Sequence, residues 1–405
     1  MQTQLPEKEQ EGLGTVAAGL IGRCVHCGFC NATCPTYQLL GDERDGPRGR
    51  IYLIKQMLEG HAPTERTQLH LDRCLTCRAC ESTCPSGVEY GKLVDIGREV
   101  LAQRSPRPWR ERLRRRWLAA FLTSRAFSPL LRLGQWLRPV LPAALSARIP
   151  ARQSVGAWPQ PAHARRVLLL GGCVQPALSP DLNAATARVL DAVGIRVDIA
   201  PGAGCCGALH QHLDQQEAAR DFARRNIDAW WPLVEAGAEA VVFNATGCGT
   251  QLTDYGWLLR DDAVYAQRAA RVAALACDVS AILEPFAARL AQQLRDAAPE
   301  KVAFHAPCSL QHGLKSRGVV ESLLVAAGAT LTPVRDPHLC CGSAGTYSLL
   351  QPALSARLRD SKLDALQDGG PSRILSANIG CMVQLGSAAH VPVLHWIQWL
   401  EERLR

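Results

Sequence analysis

Apolar positions along the chain follow two patterns. Between residues 34 and 74 the period is helical, as in "RGRIYLIKQMLEG" (48–60). From residue 165 onward, short continuous apolar runs alternate with helical stretches. "RRVLLLGGC" (165–173) and "KVAFHAPC" (301–308) are short enough to read as buried strands, and each ends at a cysteine. A helical segment follows each run, "NAATARVLDAVG" or "RGVVESLLVAAG", with Gly194 or Gly328 as its C-terminal stop. Second strands come next, "IRVDIA" and "TLTPV", and then a Cys-Cys-Gly turn in both copies. A further helix and a third strand, "AEAVVFNATGC" or "SRILSANIGC", complete each unit. The expected fold class is therefore α/β with a helical N-terminal domain and a duplicated α/β unit. The cysteines of those units fall just after strands, where open α/β sheets bind ligands.

The cysteines sharpen this picture because they form two duplicated sets. "CVHCGFCNATCP" (24–35) returns as "CLTCRACESTCP" (74–85), so Cys24, Cys27, Cys30 and Cys34 match Cys74, Cys77, Cys80 and Cys84 at an offset of 50. Cys173, Cys205 and Cys206 recur as Cys308, Cys340 and Cys341 at an offset of 135, and Cys248 recurs as Cys381 at 133. Only Cys277 has no twin; it lies in "VAALACDVSAIL", which reads as a helical core segment. The chain divides into a helical domain (1–102), an Arg- and Pro-rich linker (103–164) and two cysteine-rich units (165–290 and 291–405).

C-x2-C-x2-C-x3-C-P is the run of two-cluster ferredoxins, in which three thiolates hold one [4Fe-4S] cubane and the fourth reaches to the other. Its double occurrence predicts two [4Fe-4S] clusters in an α-helical ferredoxin domain. One set is Cys24, Cys27, Cys30 and Cys84, and the other is Cys74, Cys77, Cys80 and Cys34. Spacing alone leaves open the exchange of Cys34 and Cys84. A zinc site fits less well, since zinc runs show pairs of cysteines rather than a third in phase.

Adjacent cysteines make a strained disulfide, because a trans peptide holds their Cα atoms about 3.8 Å apart, below the usual range. Four cysteines therefore remain as candidate metal ligands in each unit: Cys173, Cys205, Cys206 and Cys248, then Cys308, Cys340, Cys341 and Cys381. This repeated pattern resembles the cysteine-rich CCG domain of heterodisulfide-reductase-type proteins, of the anaerobic glycerol-3-phosphate dehydrogenase C subunit and of lactate-utilisation proteins. Together with "GPRGRIYLIKQ", "HLDRC", "RNIDAWWP" and "HLCCGSAGTY", it most resembles the iron-sulfur subunits of glycolate oxidases, over nearly the whole chain. Family members that hold a noncubane cluster here end the motif with C-x2-C. In this chain Ala245 and Asn378 stand three residues before Cys248 and Cys381. An additional iron-sulfur cluster in the CCG units is thus allowed and not implied.

The resemblance implies an electron-transfer subunit without catalytic residues of its own. Its partners would be flavin-containing glycolate oxidase subunits that convert glycolate to glyoxylate, with electrons passing through this chain toward a respiratory acceptor. The same wiring on another 2-hydroxy-acid or glycerol-3-phosphate dehydrogenase is the alternative, as is a heterodisulfide-reductase-like enzyme.

Composition adds a compartment and a surface. The chain has 405 residues, 17 cysteines and a net charge of +8. That cysteine count without a secretory signal suits metal ligation in a reducing compartment, so a cytoplasmic protein is expected. Seven of the thirteen residues from 104 to 116 are Arg, interleaved further along with Trp109, Trp117, Phe121, Phe127 and Trp136. A basic stretch with aromatics suits partner docking or peripheral contact with the cytoplasmic face of the inner membrane. No nucleic-acid partner is expected. His210, His212, His305 and His312 lie near the paired-cysteine motifs and read as satisfied polar residues beside loops.

Overall fold

The computed structural model describes all residues except 8, 9, 143–148, 151, 161, 297 and 405. The N-terminal domain is helical. Helices Leu13–Gly22, Pro47–Leu58 and Tyr90–Arg104 pack around Ile21, Ile54, Met57, Leu58, Leu93 and Leu101. The helical period of the sequence thus becomes one buried stripe per helix. Pro35 occupies the first turn of helix Pro35–Leu40, where its missing N–H costs no hydrogen bond.

Two four-stranded parallel sheets follow. The first contains β1 (Arg165–Leu169), β2 (Ile195–Asp198), β3 (Val241–Phe243) and β4 (Ala276–Asp278) in the order β2-β1-β3-β4. The second contains β5 (Glu300–His305), β6 (Ala329–Leu331), β7 (Arg373–Ser376) and β8 (Val393–His395) in the order β6-β5-β7-β8. Three strands per sheet match the sequence pattern. The fourth strands, β4 and β8, were not legible in it. Each is three residues long, and β4 lies within the stretch that reads as helical, so Cys277 sits on a strand rather than a helix. It packs, half-buried, against the core expected of it.

The units share a core. Helix Leu182–Ala192 of the first packs on helix Trp396–Leu404 of the second, and Trp396 and Trp399 are buried beside Leu190, Val242, Val302 and Leu375. Helix Ala287–Gln293 spans the expected division at 290/291 and contributes Leu290 to this core. Hydrogen bonds cross directly between units: Thr246 N–H to Ala377 O (3.2 Å), Gly247 N–H to Asn378 Oδ1 (3.1 Å) and His395 Nε2 to Asn244 O (2.8 Å).

The basic linker forms helices Trp109–Thr123 and Phe127–Leu137. Arg107 grips Asp72 with both guanidinium nitrogens at 2.6 Å and reaches Asp214 at 3.0 Å; Arg115 adds a bond to Asp72. Two of the linker's arginines therefore clamp the helical domain to the first unit. This bidentate, desolvated geometry separates them from ordinary surface pairs.

Candidate functional site

The two ferredoxin-type loops repeat in backbone as well as sequence. His26 and Thr76 have φ of 57° and 52°, and two residues later Gly28 and Arg78 have φ of 83° and 58°. These left-handed residues turn the chain so that successive cysteines converge. Glycine adopts that conformation freely, whereas Arg78 is held there by its ion pair with Asp254 of the first cysteine-rich unit.

Cys24, Cys27, Cys30 and Cys84 surround a small cavity of about 30 Å³, which Cys80 also lines. The charges felt by one thiol of each loop follow the same grouping. Cys30 is pushed up to about 11 by burial and then by Cys24, with Cys84 and Cys27 adding to the rise. Cys80 is raised by burial and then by Cys77, Cys74 and Cys34. Cys84 thus stands among the charges felt in the 24–30 loop, and Cys34 among those felt in the 74–80 loop. Among the described residues all these cysteines are free thiols.

The donor set suits iron-sulfur clusters: soft sulfurs gather at both loops and receive hydrogen bonds of the kind that tune cluster potentials. Thr76 N–H and Tyr90 Oη–H donate to Cys74 Sγ at 3.4 and 3.7 Å, and Val88 N–H donates to Cys84 Sγ at 3.5 Å. Burial alone would raise the Cys74 thiol, but the guanidinium groups of Arg50 and Arg98 overcome it and leave its pKa below the ordinary value. Arg50 is 1% exposed, donates to His70 O at 2.7 Å and lies 3.9 Å from Cys34 Sγ. The sequence reading missed both arginines as cluster neighbours. Each had a signal: Arg50 shares a helix face with Ile54 and Met57, and Arg98 with Val94 and Leu101. A cation on an apolar face needs a buried acceptor.

The two cysteine-rich units open onto one cavity of about 450 Å³. Cys173, Cys205, Cys206 and Cys248 line it from the first unit, and Cys308, Cys340 and Cys381 from the second. Cys74 and Cys77 line it from the ferredoxin-type domain. Cys308 Sγ lies 3.8 Å from Cys340 Sγ. The Cys77 thiol is raised well above its usual value by burial and then by the charge of Cys308. One thiol of the second loop thus faces the second unit across the domain boundary. Ser82 Oγ and His312 Nδ1 hold that boundary at 2.9 Å.

Each Cys-Cys turn is completed by a glycine that a larger residue could replace only with strain. Gly207 and Gly342 have φ of 88° and 81°, and an added Cβ would stand 2.9 Å from Ala219 O or 2.6 Å from Ser355 O. Three of the four histidines near these turns differ from expectation. His312 is satisfied, with Nε2 bonding to His338 O at 3.0 Å. His210 Nδ1, His212 Nδ1 and His305 Nε2 are buried without a partner. Burial, followed by Arg98 and Arg78, lowers His212 to about 3, so it enters the cavity neutral.

Comparison with known proteins finds two families along the chain. A 4Fe-4S dicluster domain family matches residues 21–88, and a cysteine-rich domain family named CCG matches residues 167–253 and 302–386. The chain is 53% identical to the glycolate oxidase iron-sulfur subunit of Escherichia coli (strain K12), covering 100% of this chain and 99% of that one. It is 32% identical to the probable glycolate oxidase iron-sulfur subunit of Bacillus subtilis (strain 168), over 91% of this chain and 88% of that protein. Lactate utilization protein A of an Exiguobacterium species aligns at 26% identity over 59% of this chain.

Proposed function

Because the chain belongs to the family of glycolate oxidase iron-sulfur subunits, we propose that it carries electrons from a flavin-containing partner that oxidises glycolate to glyoxylate. In this reading Cys24, Cys27, Cys30 and Cys84 hold one [4Fe-4S] cluster, and Cys74, Cys77, Cys80 and Cys34 hold the other. When bound, such clusters supply one-electron carriers at potentials set by their surroundings. The chain's own residues do the positioning. Arg50 and Arg98 neutralise thiolate charge around Cys74, and the Tyr90 hydroxyl and Thr76 amide donate to its sulfur.

The observation that carries the proposal is the placement of Cys77 beside Cys308 at the wall of the shared cavity. It gives electrons leaving the second loop a short route into the cysteine-rich units. A further cluster on the four cysteines of the first unit would extend that route. The test is to add glycolate, lactate or glycerol 3-phosphate to the anaerobic native complex and follow cluster absorbance. Bleaching by glycolate alone is expected; bleaching by another substrate and not by glycolate would assign the wiring to a different dehydrogenase.

The linker supports a cytoplasmic protein held peripherally at the inner membrane. Trp109, Leu113 and Trp117 recur at every fourth residue of one helix and are all more than half exposed. Helix Phe127–Leu137 has no buried residue and exposes Leu130, Leu133 and Trp136. Neighbouring arginines complement anionic headgroups. No helix of the described residues is long and apolar enough to cross a membrane. Replacing Trp109, Trp117 and Trp136 with Ser should release the chain from anionic vesicles, and undiminished binding would remove this part of the reading.

A further inference from the structure

The second cysteine-rich unit contains a donor that the first lacks. His305 ends β5, is 2% exposed and points Nε2 into the interior with no hydrogen-bond partner. An orphaned buried ring nitrogen costs about 1 to 3 kcal/mol, so its persistence calls for an explanation. Its neighbours provide one. His305, Cys341 and Cys381 offer donor atoms that all lie within 4.8 Å of one another, and all three residues are buried. One other such group occurs among the described residues, Asp42, Asp45 and His70, and its carboxylates are already paired with Arg44, Arg50 and Arg73.

The surroundings are arranged as metal ligands usually are. Ser376 Oγ lies 3.0 Å from His305 Nδ1; with that nitrogen's proton donated to the hydroxyl, Nε2 keeps its lone pair. Asn378 Nδ2 donates to Cys381 Sγ at 3.4 Å while its Oδ1 accepts from Gly247 N–H, fixing the amide orientation. The residue that stands where a fifth cysteine would be thus steadies a thiolate instead. In the first unit the equivalent positions, 135 and 133 residues earlier, are Leu170 and Ala245, which can do neither.

Geometry distinguishes a single ion from a cubane. Tetrahedral bonds of about 2.0 to 2.3 Å to nitrogen and sulfur place ligand atoms about 3.3 to 3.8 Å apart. Thiolates on a cubane each take a different iron and splay outward, farther apart than this. Donors already within 4.8 Å need only a small inward movement to share one ion. We propose that His305 Nε2, Cys341 Sγ and Cys381 Sγ form a site for one thiophilic divalent cation, of the zinc or ferrous class, in the second unit only.

Zinc, iron and acid-labile sulfide per chain, measured on full-length protein purified anaerobically from cells supplied with both metals, test this. The expected result is about one zinc, or one iron unaccompanied by sulfide, beyond the cubane iron. It should persist in Cys205→Ser and be lost in Cys341→Ser. In His305→Ala it should be stripped by a chelator at least about tenfold faster, with a smaller change in the same direction in Ser376→Ala. X-ray absorption at the edge of that metal should show a nitrogen ligand that disappears in His305→Ala. An unchanged cooperative thermal transition certifies that a variant is folded; if His305→Ala loses it, Ser376→Ala carries the test. Extra iron matched by sulfide, metal retention indifferent to both His305→Ala and Ser376→Ala, or no metal beyond the cubanes would each overturn the assignment. None of these outcomes bears on glycolate-driven reduction of the ferredoxin-type clusters, so the two proposals fail separately.

Discussion

The two cysteine-rich units share strand order, cysteine positions and the glycine that closes each Cys-Cys turn, yet their interiors differ in charge. Beside its thiols the first unit places Leu170, Asn226 and Ala245; the second places His305, Lys362 and Asn378. Asn226 in "NIDAW" and Lys362 in "KLDAL" occupy matching helix positions, and both are buried. Asn226 satisfies backbone and side-chain partners, donating to Cys205 O and to Tyr255 Oη. Lys362 donates to Asp336 O at 2.8 Å; burial lowers its pKa, and the nearby Cys340 and Cys341 thiols oppose that shift. Duplication kept the scaffold, because strand register and the tight glycine turns tolerate little change. The polar groups around the sulfurs were free to diverge. The second unit gained a cation and a nitrogen donor beside its sulfurs, and it is the unit whose thiols meet Cys77.

The largest separation between the units should appear in electron delivery. Cys340→Ser, beside Cys77 and Cys308, should lower glycolate-driven reduction of the terminal acceptor at least about tenfold, while Cys205→Ser should change it by less than about twofold. Equal losses in steady-state assays of the complex would erase the functional asymmetry.

Stability should separate them next. Gly342→Ala forces a Cβ closer to a carbonyl oxygen than Gly207→Ala does, 2.6 Å against 2.9 Å, and both add the strain of a positive φ. Thermal or denaturant unfolding should give losses of about 2 to 4 kcal/mol for Gly342→Ala and about 1 to 3 for Gly207→Ala. The reverse order would mean that the first turn is the more rigid.

A pH-dependent effect concerns the seam that joins the units. His395 is fully buried; Nε2 donates to Asn244 O and Nδ1 accepts from Ile397 N–H, so the ring is neutral. Burial lowers its pKa to about 4, against an unfolded value near 6.5. Below pH 6.5 the unfolded chain takes up a proton that the folded chain refuses. Stability should therefore fall as pH drops from about 6.5 toward 4, by up to about 3 kcal/mol from this residue. His395→Gln should flatten that part of the profile in a melting series; an unchanged slope would place the acid sensitivity elsewhere.

Much of this architecture could be read from residue order because it rests on local signals. Cysteine spacing carried the two ferredoxin-type loops, and short apolar runs, four of them ending at a cysteine, carried six of the eight strands. β4 and β8 escaped because three residues hold too little period, and their pairing depends on a neighbouring strand. The shared cavity, the meeting of Cys77 with Cys308 and the clamp of Arg107 and Arg115 on Asp72 and Asp214 join residues far apart in the chain. No local pattern encodes such contacts. His305 read as a satisfied polar residue because its orphaned nitrogen exists only once β5 and the helix bearing Cys381 are assembled.

The account rests most heavily on two clusters held by crossed cysteine sets. The direct measurement is electron paramagnetic resonance of the reduced chain, with iron counted, in four single variants. Wild type should hold about eight ferredoxin-type irons and show two spectral species. Cys84→Ser should remove the species lost in Cys30→Ser, and Cys34→Ser the species lost in Cys80→Ser. The opposite pairing, or a single species throughout, would contradict the account.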